Sequence, residues 1–145
     1  MTKHAAPINL AVLHKASRHD SGPKHVTGTA EYIDDMVEPV GTMHAYLGLS
    51  TKPHAEVVGM DFSAVLAAPG VIGVLTKDDV PGVLDISSAH MHDEPVFADG
   101  VVHFWGQPVF AVVAETRDQA RRATHLAKID YKELPFFTDV RSAQA

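Results

Sequence analysis

The chain has 145 residues, 46% of them hydrophobic and 21% charged, which suits a single soluble domain with a core of its own. Its net charge of -6 argues against a nucleic-acid partner, and the absence of cysteine excludes disulfides, thiolate zinc sites and cysteine-ligated iron–sulfur clusters within the chain. No apolar run approaches the ~20 residues of a membrane helix and the N-terminus lacks a secretory signal, so we expect a cytoplasmic protein with no membrane partner.

The N-terminal part of the chain predicts an arm and two strands. Residues 1–25 show no periodicity and are mostly polar, which is typical of a loosely packed N-terminal arm. Val26–Tyr32 alternates weakly between apolar and polar residues, and Gly41–Ser50 alternates more clearly, so each is predicted to be a strand. Asp34 and Asp35 are adjacent and would point to opposite faces of an extended chain, which favours a turn over a paired-carboxylate site.

A short strand–helix–strand unit follows in residues 55–75. A strand from Ala55 to Met60 leads to a predicted helix over Ser63–Ala67 of two turns at most. The apolar run Val71–Leu75 is then predicted to be a buried strand.

The clearest structural signals lie in Gly106–Pro135, which repeats the strand–helix–strand plan. Val109–Ala114 is an unbroken apolar run, typical of a strand that is buried on both faces. Thr116 and Gln119 then stand at the spacing of a capping box, and a stripe of alanines predicts a helix that lies close against a sheet. From Lys128 the apolar period becomes two, which predicts a final strand.

Asp78–Gly100 has little regular pattern, and loops of this length in a compact domain are often functional. Within it, His90, His92 and Glu94 share one face of an extended chain and could ligate a divalent metal. Three ligands from five consecutive residues rarely reach one ion without a distant fourth. A loop that faces a substrate or an interface is therefore favoured over a metal site, and a polar loop whose histidine, serine and aspartate side chains are simply solvated stays open as the alternative to both.

Two further candidate binding sites lie next to the predicted buried strand Val109–Ala114. Gln107 could orient a ligand through its amide, but an ordinary turn leading into the strand is favoured. Trp105 with Phe104 and Phe110 could form an aromatic pocket, but such residues on a strand are usually core. The patterns G-x-S-x-G, G-x-G-x-x-G and G-x-x-x-x-G-K do not occur, so neither nucleophilic catalysis nor a phosphate cradle is supported.

Several segments, in their order and spacing, resemble one known family. They are VTGTAEYIDD, LGLSTKPHAEV, APGVIGVLTKDDVPG, DEPVFADGVVHFWGQPVFAVVAET and DYKELP. From about His14 to Val140, the chain resembles the N-terminal α/β-hammerhead domain of the molybdenum hydroxylases, the aldehyde oxidase and xanthine dehydrogenase family. Within that family it is most similar to the molybdopterin-binding (large) subunit of xanthine dehydrogenases.

The resemblance predicts an α+β fold and a division of the chain into three parts. We expect an N-terminal arm over residues 1–25, an α/β-hammerhead domain over residues 26–140, and a C-terminal tail over residues 141–145 of a chain cut from something longer. The domain is expected to contain a mixed β-sheet and two short helices. The buried strands Val71–Leu75 and Val109–Ala114 are expected near its centre.

The resemblance also implies an enzyme whose chemistry lies outside this chain. Family members hydroxylate purines or aldehydes at a molybdenum centre held by a pterin, with a glutamate from another part of the subunit as the base. Electrons leave through 2Fe-2S clusters and FAD, and reach NAD in the dehydrogenases. The lack of cysteine agrees with iron–sulfur and FAD domains on partner chains.

We therefore expect a structural and docking domain of a xanthine dehydrogenase large subunit, with purine substrate (hypoxanthine or xanthine, giving urate) and NAD as acceptor. By itself it is expected to be inactive, with no catalytic, cofactor-binding or metal residues. The family pattern places His90 and Met91 at the mouth of the substrate channel, although a histidine departs from the apolar residues common there. The alternatives are an aldehyde oxidase or another N-heterocycle hydroxylase, and a free-standing metal- or ligand-binding module that uses His90, His92 and Glu94.

Overall fold

The computed structural model describes residues 16–88 and 91–144. In chain order, the helices and strands are α1 (Gly22–Thr27), β1 (His44–Leu49), β2 (Ala55–Asp61), α2 (Ser63–Leu66), β3 (Val71–Leu75), β4 (Val101–Val102), β5 (Pro108–Ala114), α3 (Arg117–Thr124), β6 (Lys128–Glu133) and α4 (Val140–Gln144), with 3-10 turns at Ile33–Asp35 and Lys77–Asp79. None of the helices in these ranges is long and apolar enough to cross a membrane. The chain divides into two compact units, one that ends at Glu38 and one that begins at Pro39.

In the first unit, helix α1 lies where the sequence pattern predicted the beginning of a strand. Pro23 stands in its first turn, and Gly28 ends the helix with a positive φ of 71°. The N–H of Thr29 donates to the carbonyl of Lys24 (2.9 Å), which closes the chain over the helix end. The predicted strand over Val26–Tyr32 is therefore wrong, because a helix start signal and a helix stop signal outweigh the weak alternation.

The turn predicted at Asp34 and Asp35 is confirmed. Both belong to the first 3-10 turn, and the Asp35 carboxylate accepts from the N–H of Tyr32 (2.9 Å). Of the predicted N-terminal arm, residues 1–15 lie outside the described residues, and the rest contains the start of α1.

The second unit contains two three-stranded sheets. Sheet A has the strand order β1-β5-β3 and sheet B the order β4-β2-β6, and all neighbours pair antiparallel. Both predicted strand–helix–strand units cross between the sheets, since α2 leads from β2 to β3 and α3 leads from β5 to β6. Neither crossover returns to its own sheet, so neither creates the parallel pair that a mixed sheet requires. The α+β class is confirmed, with two antiparallel sheets in the described residues where we expected one mixed sheet.

Strand β5 lies at the centre of sheet A and of the core. Five of its seven residues are buried: Val109, Phe110, Ala111, Val112 and Ala114. Helix α3 packs against β1 and β5 and buries Ala120 and Ala123, as the alanine stripe predicted. The remaining members of the buried cluster come from β2, α2, β4 and the segment before it: Ala55, Val65, Val102 and Ala98. The prediction of a central buried strand at Val109–Ala114 is therefore confirmed.

Strand β3 has a different position from the one predicted for it. It is an edge strand of sheet A, with Ile72 and Leu75 exposed by 54% and 43%. The prediction that Val71–Leu75 is a buried strand near the centre is wrong, because β3 pairs with β5 on one side and has no strand on its other side among the described residues. An edge strand with exposed side chains does not need a continuous apolar sequence, so β3 is more apolar than its position in this unit requires.

Helix α3 begins at the predicted cap. The Thr116 hydroxyl accepts from the N–H of Gln119 (3.2 Å) and donates to the side-chain oxygen of the same residue (2.9 Å). The Gln119 amide lies across Gly70, where a Cβ would come within 2.2 Å of its nitrogen. The N–H of Glu115 donates to the Gly70 carbonyl (2.9 Å), so the start of α3 is fixed against the turn before β3.

The packing of Phe110 against Gly48 leads to a first prediction. A Cβ at Gly48 would lie 2.1 Å from Cε1 of Phe110, so Gly48→Ala must displace a ring in the core. We expect this variant to lower the free energy of unfolding by about 1–3 kcal/mol, measured by urea denaturation. Gly73→Ala on β3 is the matched control, because nothing lies within 4 Å of its Cβ, and we expect a change of about 1 kcal/mol or less. Equal destabilisation by the two variants would contradict this packing.

Candidate functional site

The segment between the Lys77–Asp79 turn and β4 is irregular over most of its described length, as predicted. Its described residues contain one isolated bridge, between Asp85 and Pro95. Beside this bridge, the N–H of Ile86 donates to the carbonyl of Glu94 (2.9 Å). These contacts close the segment between them into a loop with a narrow base.

Asp85, Ser87 and His92 form a hydrogen-bond network across this loop. One Asp85 oxygen accepts from the N–H (2.9 Å) and the hydroxyl (2.5 Å) of Ser87, and the other accepts from Nδ1 of His92 (2.5 Å). The Ser87 hydroxyl oxygen accepts in turn from the N–H groups of Asp93 (3.1 Å) and Glu94 (3.0 Å). Among the described residues other than glycine, His92 alone has a positive φ, 53°, a conformation that histidine adopts more readily than most residues.

The same contacts lower the pKa of Asp85. The hydroxyl and N–H of Ser87, followed by His92, stabilise the carboxylate, and the pKa falls from 3.8 to about 2. Ser87 donates to this carboxylate, whereas a nucleophilic serine would donate to a base such as imidazole. The network therefore joins the described residues on the two sides of the loop base and forms no catalytic triad.

Of the three residues considered as metal ligands, the structure describes two. His90 lies outside the described residues. His92 uses Nδ1 for Asp85, and Glu94 takes part through its main chain. The described part of the chain brings together no group of three or more histidine, aspartate or glutamate side chains that could hold a metal ion. The metal-binding interpretation of His92 and Glu94 gains no support.

Met91 precedes His92 in the same loop and is 74% exposed. With His90, it is the residue that the family pattern places at the mouth of the substrate channel, and this role stays a prediction. A groove of about 660 Å³ lies beside the loop. Its polar lining consists of the side chains of His92, His103, Asp85, Asp93 and Asp99. Asp99 is paired with Lys77 (2.5 Å), so part of this acidic character is neutralised.

Gln107 is buried in the turn that leads into β5. Its side-chain oxygen accepts from the N–H of His103 (2.7 Å), and its main-chain carbonyl accepts from the N–H of Ser50 (2.8 Å). The N–H of Gly106 donates to the carbonyl of Ser50 (3.0 Å). This agrees with the turn interpretation, since the amide oxygen is used to fix the protein's own backbone.

The interpretation of Phe104 and Trp105 as core residues is wrong. They are 55% and 68% exposed, whereas Phe110 is buried. Strand β4 ends at Val102, and the chain then turns, with the N–H of Gln107 donating to the carbonyl of Phe104 (3.3 Å). Phe104 and Trp105 belong to this turn, so their rings are exposed although the strands before and after them are largely buried.

A second groove, which we call the β1–β6 groove, was not predicted from the sequence. It measures about 550 Å³ and is lined by Tyr46, Leu47, Gly48, Leu49, Ser50, Thr51, Trp105, Gly106, Phe110, Thr124, His125, Ala127, Ile129 and Tyr131. None of these described residues is an aspartate, glutamate, lysine or arginine. The groove therefore has none of these four charged residue types, although the chain has a net charge of -6.

Tyr131 in this groove has an unusual hydroxyl. The oxygen is shielded from solvent and has no hydrogen-bond partner among the described residues, which costs about 1–3 kcal/mol for a buried polar group. One local signal could have pointed to the groove, since Ala45, Leu47 and Leu49 form an apolar face of β1 and Tyr46 stands on the other face. These side chains are nevertheless exposed, with Tyr46, Leu47 and Leu49 at 43%, 47% and 48%.

Residues 27–135 match a family model described as the aldehyde oxidase and xanthine dehydrogenase a/b hammerhead domain. The chain is 44% identical over 125 residues to xanthine dehydrogenase of Oryza sativa subsp. japonica, a match that covers 86% of this chain and 9% of the relative.

Two solved structures have a similar fold. Aldehyde oxidoreductase from Desulfovibrio gigas aligns with a TM-score of 0.74 and 31% identity, over 87% of this chain and 15% of that one. Quinoline 2-oxidoreductase from Pseudomonas putida 86 aligns with a TM-score of 0.69 and 31% identity, over 86% and 17%. This chain thus spans a small part of the length of each protein it resembles.

The network at the loop base predicts different effects for two neighbouring serines. Ser87→Ala removes the acceptor for the N–H groups of Asp93 and Glu94, so we expect faster amide hydrogen exchange at those two positions. Ser88→Ala is the matched control, because Ser88 is exposed beside it, and should leave these rates unchanged. Exchange measured by NMR checks this, and similar rates in the two variants would argue against the network.

Asp85 predicts a pH dependence of stability at the acid end. Its folded-state pKa of about 2 lies below the 3.8 of the free side chain, so the unfolded chain binds more protons between these values. The stabilisation is complete above pH 3.8 and is lost as the pH falls through about 2. Carboxyl ¹³C NMR should show Asp85 titrating near 2, and Ser87→Ala should move its pKa upward. An unshifted pKa in the wild-type chain would contradict the proposed cause.

Proposed function

This chain belongs to the aldehyde oxidase and xanthine dehydrogenase family as an α/β-hammerhead domain, and we propose that it is the structural and docking domain of the molybdenum-containing subunit of a xanthine dehydrogenase. The observation that carries this is the family match over residues 27–135, joined to the 44% identity with the rice enzyme. Membership also confirms the expected hammerhead fold. In this proposal, the subunit hydroxylates hypoxanthine and xanthine to urate, passes electrons to NAD and works in the cytoplasm.

In this proposal the described residues have a supporting role, and none of them is assigned to the binding of the molybdenum cofactor. We therefore assign molybdopterin binding and the catalytic glutamate to the remainder of the subunit. The 2Fe-2S clusters and FAD are assigned to an iron–sulfur/FAD partner subunit, and no chemical step is assigned to this chain.

The loop that carries Met91 is the part of this chain for which we propose contact with substrate. The Asp85 network joins Ser87 and His92 at the base of the loop, and Met91 beside His92 is exposed. An exposed apolar side chain suits the wall of a channel for a flat heterocycle, because it contributes shape without a reacting group. We accordingly keep His90 and Met91 as residues of the channel mouth.

The second candidate is an aldehyde oxidase or another N-heterocycle hydroxylase. It is favoured by the structural likeness to an aldehyde oxidoreductase and to quinoline 2-oxidoreductase, each at 31% identity. This domain does not distinguish the candidates, since we assign it no residue that touches the reacting atoms. The substrate must therefore be determined on the complete enzyme.

The proposal predicts the behaviour of the full reading frame that contains this chain. Co-expressed with its iron–sulfur/FAD partner, the subunit should contain molybdenum and reduce NAD with xanthine. The isolated 145-residue chain should do neither. Metal analysis and the NADH absorbance check this, and a subunit that lacks residues 26–140 is the control, expected to lose assembly.

Two other results are informative. Faster turnover of an aldehyde or of quinoline than of xanthine would replace the xanthine dehydrogenase assignment with the second candidate. A correctly folded subunit without molybdenum would contradict both.

A further inference from the structure

Strand β1 has exposed apolar side chains that helix α3, which packs against it, does not cover. Its exposed residues Tyr46, Leu47 and Leu49 lie on both strand faces, a pattern typical of strands buried on both sides. β1 also lacks the lysine or proline that commonly protects a free sheet edge. These properties indicate that another segment covers β1 in the functional protein.

Two free sheet edges contribute to the β1–β6 groove. β1 is an edge of sheet A and β6 is an edge of sheet B, and residues of both line the groove. An extended segment can pair with such an edge through its main chain while its alternate side chains fill pockets beside it. The position of the groove therefore favours an extended segment over a helix or a small molecule.

The lining restricts the chemistry of the occupant. The described lining residues include no carboxylate, lysine or arginine, so an apolar segment fits better than a charged one.

We propose that the β1–β6 groove binds an extended apolar segment of the same molybdenum-containing subunit, from the part beyond this chain. The inference rests on the proposed function. The chain spans 9% of the rice enzyme and 15% of the Desulfovibrio gigas enzyme that it resembles. Most of a subunit of that kind therefore lies outside the chain and is available to cover the groove.

Site-specific crosslinking in the full subunit tests the occupant. The photoreactive residue p-benzoyl-phenylalanine, introduced at Leu47, should crosslink to one contiguous apolar segment of the same polypeptide beyond residue 145, identified by mass spectrometry. The matched control places it at Leu66, which is exposed on α2 and does not line the groove. Leu66 should not capture that segment. A crosslink from Leu47 to a second copy or to the partner subunit, or no crosslink, would overturn the inference.

The two proposals can fail separately. Molybdenum content and hydroxylation are measured on the same subunit preparations. If the subunit contains molybdenum and hydroxylates its substrate, but the photoreactive residue at Leu47 captures no segment of the same polypeptide, the groove inference fails and the proposed function stands. If molybdenum is absent from a folded subunit, the proposed function fails whatever the crosslinks show.

Discussion

The second unit depends on the packing of one ring, that of Phe110. The ring fills the space that Gly48 leaves on β1, where a Cβ would lie 2.1 Å from it, and its centroid is 4.9 Å from that of Phe62 at the start of α2. One side chain on the central strand thus links sheet A to the helix that crosses over from sheet B. Because β5 takes the centre, β1 and β3 become edges whose apolar side chains are not covered within this unit.

Features whose cause is local were predictable, and features that join distant residues were not. The start of helix α3 could be predicted because Thr116 and Gln119 are three residues apart, the spacing at which the Thr116 hydroxyl accepts from the N–H of Gln119. Val109–Ala114 could be recognised as central because apolar side chains fill both of its faces. A continuous apolar run led to a wrong prediction for Val71–Leu75. Such a run is typical of a buried strand, but it does not show whether the strand is buried within its own domain.

The candidate sites were harder to predict for the same reason. The long loop was visible in the sequence, but the Asp85 network needs the particular backbone turn that brings His92 back to the loop base. The β1–β6 groove joins Leu47 to Tyr131, which are far apart in the sequence and meet only when both sheets have formed. Family membership, and not any cluster of reactive groups, is what connects this chain to oxidoreductase chemistry.

We propose that this chain is a preformed scaffold whose exposed apolar edge is covered by the rest of a molybdenum-containing subunit. Amide hydrogen exchange, compared residue by residue between the isolated chain and the full subunit, measures that coverage. We expect β1 to gain strong protection in the full subunit, while β5, which is already buried, changes little. Equal exchange of β1 in the two states would show that the edge is not covered.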